Sequence, residues 1–152
     1  MNVKASLSPE DLARACAAAM WKEDDASRGL GMEIVDIGPG RATMAMTVKP
    51  EMVNGQRIAH GGFIFTLADS TFAFACNSHN DRAVAAQGNI TFIRPGKLGE
   101  RLVATAREVS RSGRSGIYDV QVTANGVVIA EFRGHSRTIP GAWLPVADTD
   151  KK

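Results

Sequence analysis

The stretch from His60 to Asn77 reads HGGFIFTLADSTFAFACN, and it constrains the fold more than any other part of the chain. Wound as a helix, its Phe63, Ile64, Phe65, Leu67, Ala68, Phe72, Phe74 and Cys76 point in every direction, so the helix must be enclosed on nearly all sides. Beyond His60 its sole charged side chain is Asp69. An ionised carboxylate among apolar neighbours is costly unless something compensates it. A chain that keeps one there needs it for chemistry or for a specific partner. Gly61 and Gly62 add a second constraint. They open the helix with bare backbone N–H groups at the positive end of its dipole, where an oxyanion can be held.

Gly61 and Asp69 cannot serve one site within one chain. Eight positions at helical rise separate them by roughly 12 Å. A hydrolytic site needs its base and its oxyanion donor within about 3 Å of the same few atoms. Two copies of the helix packed antiparallel about a twofold axis, with axes about 8–10 Å apart, bring Asp69 of one beside Gly61 of the other. The spacing therefore predicts a homodimer with two shared sites. The bland alternative is an aspartate bonded to a neighbouring loop in a monomer.

The flanking sequence predicts what encloses this helix. Ser8-Pro9-Glu10-Asp11 starts an N-terminal helix that runs through Ala13, Cys16, Ala17 and Met20 to about Trp21. Asp24 to Arg28 reads as a polar connector. Met32–Ile37 and Arg41–Val48 read as strands around Gly38-Pro39-Gly40, and Lys49–Ala59 as a loop. After Ser78-His79-Asn80-Asp81, read as a solvated turn, the period changes to two. Ala83–Ile93, with a bulge at Gly88, is followed by Arg101–Val109, Gly116–Thr123 and Val127–Arg137. Arg111–Arg114 makes one connection, and Asn125-Gly126 is a two-residue hairpin signal. A helix apolar all round needs a sheet curled over it and a further layer to close the other side. The expected fold class is α+β: a curved antiparallel sheet around one long central helix, with an N-terminal helix. Residues 1–139 form a single domain in this reading, and 140–152 a poorly ordered tail.

Composition removes several functional classes. A chain of 152 residues with net charge +2 is one domain too weakly basic to imply nucleic acid. Cys16 and Cys76 lack metal-ligand spacing and read as buried free thiols suited to a reducing cytoplasm. Met1–Asp11 has no secretory pattern, and the central helix is too short and too interrupted to span a bilayer. The expectation is a cytoplasmic protein with no metal and no membrane partner.

Taken together, several stretches resemble the hotdog-fold thioesterases of the PaaI type. They are Asn54 with His60-Gly61-Gly62, Phe65-Thr-Leu-Ala-Asp69, Phe72–Ser78, Phe92-Ile-Arg-Pro-Gly96, Gly116-Ile-Tyr-Asp119 and Phe132-Arg-Gly-His135. The resemblance implies metal-free hydrolysis of acyl-coenzyme A thioesters by dimers that pair into tetramers, with coenzyme A present only as part of the substrate. It gives Asp69 the role of general base or nucleophile, the Gly61 N–H that of polarising the carbonyl, and Asn54 that of orienting water or the carboxylate. His60 then shapes the turn and helps position the acyl group, with Gly62 beside the substrate. Some relatives supply a Ser or Thr hydroxyl after the central helix. Here that stretch is Ala83-Val84-Ala85-Ala86, so Ser70, Thr71 or Gln87 would have to substitute.

Basic side chains outnumber acidic ones between Arg94 and Arg137. Arg94, Lys97, Arg111, Arg114, Arg133 and His135 are candidates for the coenzyme A phosphates, through charge-assisted bonds. The resemblance implies phenylacetyl or hydroxyphenylacetyl groups of aromatic catabolism as substrates, and Phe63, Phe65, Phe72 and Phe74, with Met46 and Met52, are candidates for an acyl pocket that would accept an aromatic ring. Two other functions compete. A hotdog dehydratase or hydratase needs a histidine and a carboxylate on one substrate carbon, and His60 and Asp69 are too far apart for that. A non-catalytic acyl-CoA-binding module gains nothing from a buried acid.

Overall fold

The computed structural model describes residues 7–145. Helix α1 spans Pro9–Glu23, where Ser8 accepts a hydrogen bond from the Asp11 N–H and Pro9 occupies the first turn. The expected polar connector is instead a one-turn helix, α2 (Asp25–Gly29), because Asp24 caps it by accepting from the Ser27 N–H at 2.9 Å. Strands β1 (Glu33–Gly38) and β2 (Arg41–Thr47) follow, then a 3₁₀ turn at Pro50–Met52. The central helix α3 spans Gly61–Cys76. Strands β3 (Ala83–Phe92), β4 (Arg101–Ser112), β5 (Ser115–Ala124) and β6 (Val127–Thr138) complete the fold.

All six strands join one antiparallel sheet in the order β1-β2-β4-β5-β6-β3. Helix α3 touches every strand, so the sheet curls around it as its apolar surface requires. Leu67, Ala68, Phe72, Phe74 and Ala75 are buried there against Met44, Met46, Leu102, Tyr118, Val120 and Phe132. Phe72 lies between the rings of Tyr118 and Phe132, with centroids 5.6 and 5.9 Å away. Gly134 makes room for that arrangement: a Cβ on it would stand 2.9 Å from the Phe72 ring.

Enclosure is nevertheless incomplete. Gly62, Phe65, Thr66, Asp69 and Ala73 recur at helical spacing and are only half-buried or exposed. One face of α3 is therefore open. The sheet leaves a matching opening beside it. Edge strand β3 is exposed along nearly its whole length, and its sequence AVAAQGNITF carries no charge and no proline.

Four local expectations need correction. The β3 irregularity lies between Ala85 and Gln87, while Gly88 pairs directly with Gly134. Gly88 is glycine for space, since a Cβ there would lie 3.1 Å from Phe132. Strands β4 and β5 run closer together than expected, so their turn is only Gly113-Arg114, with Gly113 at φ 58°. Within 78–81 only Asp81 is exposed. His79 Nε2 lies 2.9 Å from Glu108 Oε1, and buried Asn80 accepts from the Trp143 and Leu144 N–H groups. Those last bonds also alter the expected tail. Trp143 donates to Asn77 Oδ1 at 2.8 Å and carries the Arg82 guanidinium over its ring, so residues 140–145 are held against the end of α3. The remainder of the expected tail, 146–152, lies outside the described residues. At Asn125-Gly126 both residues have positive φ, 50° and 75°, as a two-residue hairpin between twisted strands requires.

Candidate active site

The loop before α3 builds one wall of the site. Its base is closed by a bridge between Val53 and Ala59, and the His60 N–H donates to the Met52 carbonyl at 2.7 Å. Inside the loop, Asn54 Oδ1 accepts from the Gln56 N–H at 2.9 Å and more distantly from the Ile58 N–H at 3.4 Å. Two backbone donors on one side fix which amide atom is oxygen. The Asn54 Nδ2 has no partner among the described residues, so Asn54 both shapes the loop and keeps a donor in hand.

His60 is the N-cap of α3. Its Nδ1 accepts from the Gly62 N–H at 2.9 Å, which is the turn-fixing role and places the ring proton on Nε2. This bond corrects the expectation for one of the paired glycines. The Gly62 N–H is consumed and does not face a substrate. The Gly61 N–H has no acceptor among the described residues and is the bare donor at the positive end of the helix.

A cavity of about 680 Å³ opens at this point, lined by Asn54, Gln56, Ile58, Ala59, Gly61, Ile64, Phe92, Ile93, Arg94 and Pro95. It is apolar apart from the Asn54–Gln56 edge, the helix terminus and the Arg94 head, the combination expected for an acyl chain with a polar anchor. Sequence reasoning missed its walls. Phe72, Phe74, Met46 and Met52 are fully buried in the core, whereas Ile58, Ile64, Phe92 and Ile93 line the cavity. The available signal was Phe92-Ile93 immediately before Arg-Pro-Gly, two large apolar residues where a strand ends.

Asp69 does not line this cavity. It lies two turns further along α3 on the open face, half-buried, with no hydrogen bond or ion pair among the described residues. Burial alone raises its pKa above the ordinary aspartate value. The neighbouring hydroxyls do not serve it. Ser70 Oγ lies 2.8 Å from Ser27 Oγ, and Thr71 Oγ1 donates to the Leu67 carbonyl at 2.7 Å. Gln87 falls on the sheet face opposite Gly88, which faces Phe65. Cys76 is no nucleophile either, because burial pushes its thiol up to about 12.

The basic candidates for the phosphates separate into three places. Arg94 lies at the cavity, its Nη1 donating to the Val128 carbonyl at 2.8 Å, and Lys97 shares an adjoining depression with it. Arg111 and Arg114 sit at the far end of the sheet, beside Glu108 and bonded to the Thr138 carbonyl respectively. Glu108 there is drawn two ways: burial raises its pKa, but bonds from Tyr118 and His79 and the Arg111 charge outweigh it and leave the pKa lowered. Arg133 and His135 lie on the sheet face away from α3. Arg133 grips Asp119 at 2.6 and 2.9 Å, and its bonds, outweighing burial, hold Asp119 below the usual carboxylate range. Alternation along β6 put Arg133 and His135 on one face, but gave no sign that the face points away from the cavity. Among the described residues, no cluster of three or more His, Cys, Asp or Glu side chains is arranged to hold a metal ion, and no helix is long and apolar enough to cross a membrane.

Comparison with known proteins agrees with this fold. Residues 56–130 match the thioesterase superfamily. The chain is 41% identical over 126 residues to the acyl-coenzyme A thioesterase PaaI of Escherichia coli, covering 82% of this chain and 90% of that protein. The structure of the E. coli PaaI protein from the phenylacetic acid degradation operon superposes with a TM-score of 0.87 at 39% identity, covering 89% of this chain and 99% of the other. A Streptococcus mutans protein solved bound to acetyl CoA aligns with a TM-score of 0.70 at 27% identity, over 73% of this chain and 90% of its own. By sequence and by fold, the chain belongs to the thioesterase superfamily, as an acyl-CoA thioesterase of the PaaI type with the hotdog fold.

Proposed function

We propose that this enzyme hydrolyses aryl-acetyl-CoA thioesters, phenylacetyl or hydroxyphenylacetyl, in preference to short acyl-CoA, at sites shared between two copies of the chain. The observation that carries the reading is the unpartnered Gly61 N–H inside an apolar cavity that contains no base. The base must come from elsewhere, and Asp69 waits without a partner on the open face of α3. A second copy laid antiparallel on that face supplies each cavity with an aspartate, and the bare edge of β3 offers a long uncharged surface for the same contact.

In this assembly the thioester carbonyl oxygen accepts from the Gly61 N–H, whose dipole end favours the developing negative charge. The Asn54 Nδ2 donates to the water or to the carboxylate. Asp69 takes a proton from the water as its oxygen attacks the carbonyl carbon, the tetrahedral intermediate collapses with cleavage of the C–S bond, and the proton passes to the departing thiolate. Direct attack by Asp69 gives an acyl-enzyme anhydride instead. Label found in the Asp69 carboxylate after single-turnover hydrolysis in isotopically labelled water identifies direct attack with the anhydride opened at the Asp69 carbonyl, since general-base hydrolysis sends label only to the product acid. Arg94 and Lys97, beside the cavity, are the residues of the basic set best placed for the coenzyme A phosphates.

Release of free thiol from a panel of acyl-CoA substrates tests the proposal. An aryl ring in the cavity gains burial and roughly 0.5–1.5 kcal/mol per aromatic contact. A two-carbon acyl group has little to bury, at about 0.8 kcal/mol per CH₂. The expected kcat/KM for phenylacetyl-CoA exceeds that for acetyl-CoA by about tenfold or more. A preference for acetyl- or malonyl-CoA overturns the substrate assignment.

A further inference from the structure

Phe92 is the one large aromatic side chain in the cavity wall, and it is 51% exposed there. Its position is tied to the helix terminus. A Cβ built on Gly61 would stand 2.8 Å from Phe92 Cζ and 3.2 Å from each Cε, so the ring lies directly against the glycine whose N–H is bare. Such closeness is available only to glycine. The glycine therefore does two things: it presents its N–H, and it leaves the space that the ring occupies.

A carbonyl oxygen held by the Gly61 N–H brings the first carbons of its acyl chain to the surface beside Gly61. The face of that surface is the Phe92 ring, backed by Ile64 and Ile93. We infer that Phe92 is the residue that determines acyl specificity, selecting aryl-acetyl groups by ring-to-ring contact at the mouth of the oxyanion donor. The inference rests on the thioesterase site described above and assigns its selectivity to a side chain outside the Asp69, Gly61, Asn54 and His60 set. The ring is free to do this because it is not needed in the core: Phe65, Phe72 and Phe132 already fill the space between α3 and the sheet.

Two substitutions and their combination test it, in the full-length enzyme with acetyl-, hexanoyl- and phenylacetyl-CoA. Phe92→Ala is expected to lower kcat/KM for phenylacetyl-CoA relative to acetyl-CoA by about tenfold, mainly through KM. Gly61→Ala keeps the backbone N–H but pushes the ring aside, so it is expected to shift the same ratio in the same direction. The double variant is expected to shift it no further than Phe92→Ala alone, the non-additivity of two residues that act through one contact. Phe92→Leu, which fills the space without a ring, should fall between. A ratio unchanged in Phe92→Ala, or an equal loss on all three substrates as a purely structural or interface role would give, overturns the inference. Failure of the wild-type enzyme to hydrolyse any of the three overturns the site reading instead, so the two failures are distinct.

Discussion

Asp69 stands in the structure as the sequence places it, the lone carboxylate of the central helix. Its carboxylate is half-buried, has no partner in its own chain, and is pushed toward the neutral form by burial. Asp69→Asn is expected to keep the fold and substrate binding while lowering kcat by at least about 100-fold, as loss of a positioned base requires. A folded variant that turns over at near wild-type rate removes Asp69 from the mechanism. The same raised pKa fixes a pH dependence. For activity, the ionised form is the working one, so kcat/KM should rise with pH through a limb above the ordinary aspartate value of about 3.9. For stability the sign is opposite. A carboxyl whose folded pKa is raised contributes stability that is complete below the unfolded pKa and is lost as pH rises through the folded pKa. Urea denaturation should therefore find Asp69→Asn more stable than wild type at pH near 7 and equal to it in acid, and a less stable variant at neutral pH contradicts an uncompensated carboxylate. At the same scale, His60 and Asn54 were readable only as residue types. Which atom of each is occupied depended on loop N–H groups whose directions no sequence pattern specifies.

Among the elements, α3 carries the most information, because its two ends do different work. The N-terminus is left with a free N–H at Gly61, whereas the C-terminus is tied down by Asn77. Asn77 Nδ2 donates to the Ala73 carbonyl at 2.9 Å and the Ala83 carbonyl at 3.1 Å, and its Oδ1 accepts from the Ala83 N–H and from Trp143 Nε1. One buried amide thus joins the end of α3, the start of β3 and the segment after β6. Replacing it by alanine leaves several buried polar groups without partners, at about 1–3 kcal/mol each when relaxation does not rescue them. Asn77→Ala should lower stability by roughly 2–3 kcal/mol, read from the denaturation midpoint at constant slope. A loss below about 0.5 kcal/mol means that water replaces these bonds. Nothing in the sequence announced this junction, since an asparagine followed by Ser-His-Asn-Asp reads as an ordinary turn. The strands, by contrast, were legible nearly to their ends from period-two patterning, apart from the position of the β3 bulge.

For the whole molecule, the open face of α3 and the bare edge of β3 adjoin, and the proposed dimer covers both. Shared sites make a direct prediction. Hybrids of an Asp69→Asn chain with a Gly61→Pro chain, which lacks the amide hydrogen, retain both groups in one of their two sites. Mixing the two inactive variants is expected to recover activity toward a quarter of wild type when subunits exchange at random, half the dimers being hybrids with one site each. Verified hybrids with no recovered activity mean that both groups act from one chain. Residues Gly61 to Asn77 determined by themselves that a single apolar helix lies at the centre of a curled sheet, that it carries a lone carboxylate, and that this carboxylate and the Gly61 N–H are too far apart to meet within one chain. Those conclusions follow from helical spacing and from the cost of burying charge, both local to the chain. The walls of the cavity and the dispersal of the arginines over three places were decided only by tertiary structure. Each depends on which strand edge or loop N–H comes to lie beside a residue distant in sequence, and a periodic pattern identifies the face a side chain takes but not its neighbour across the fold.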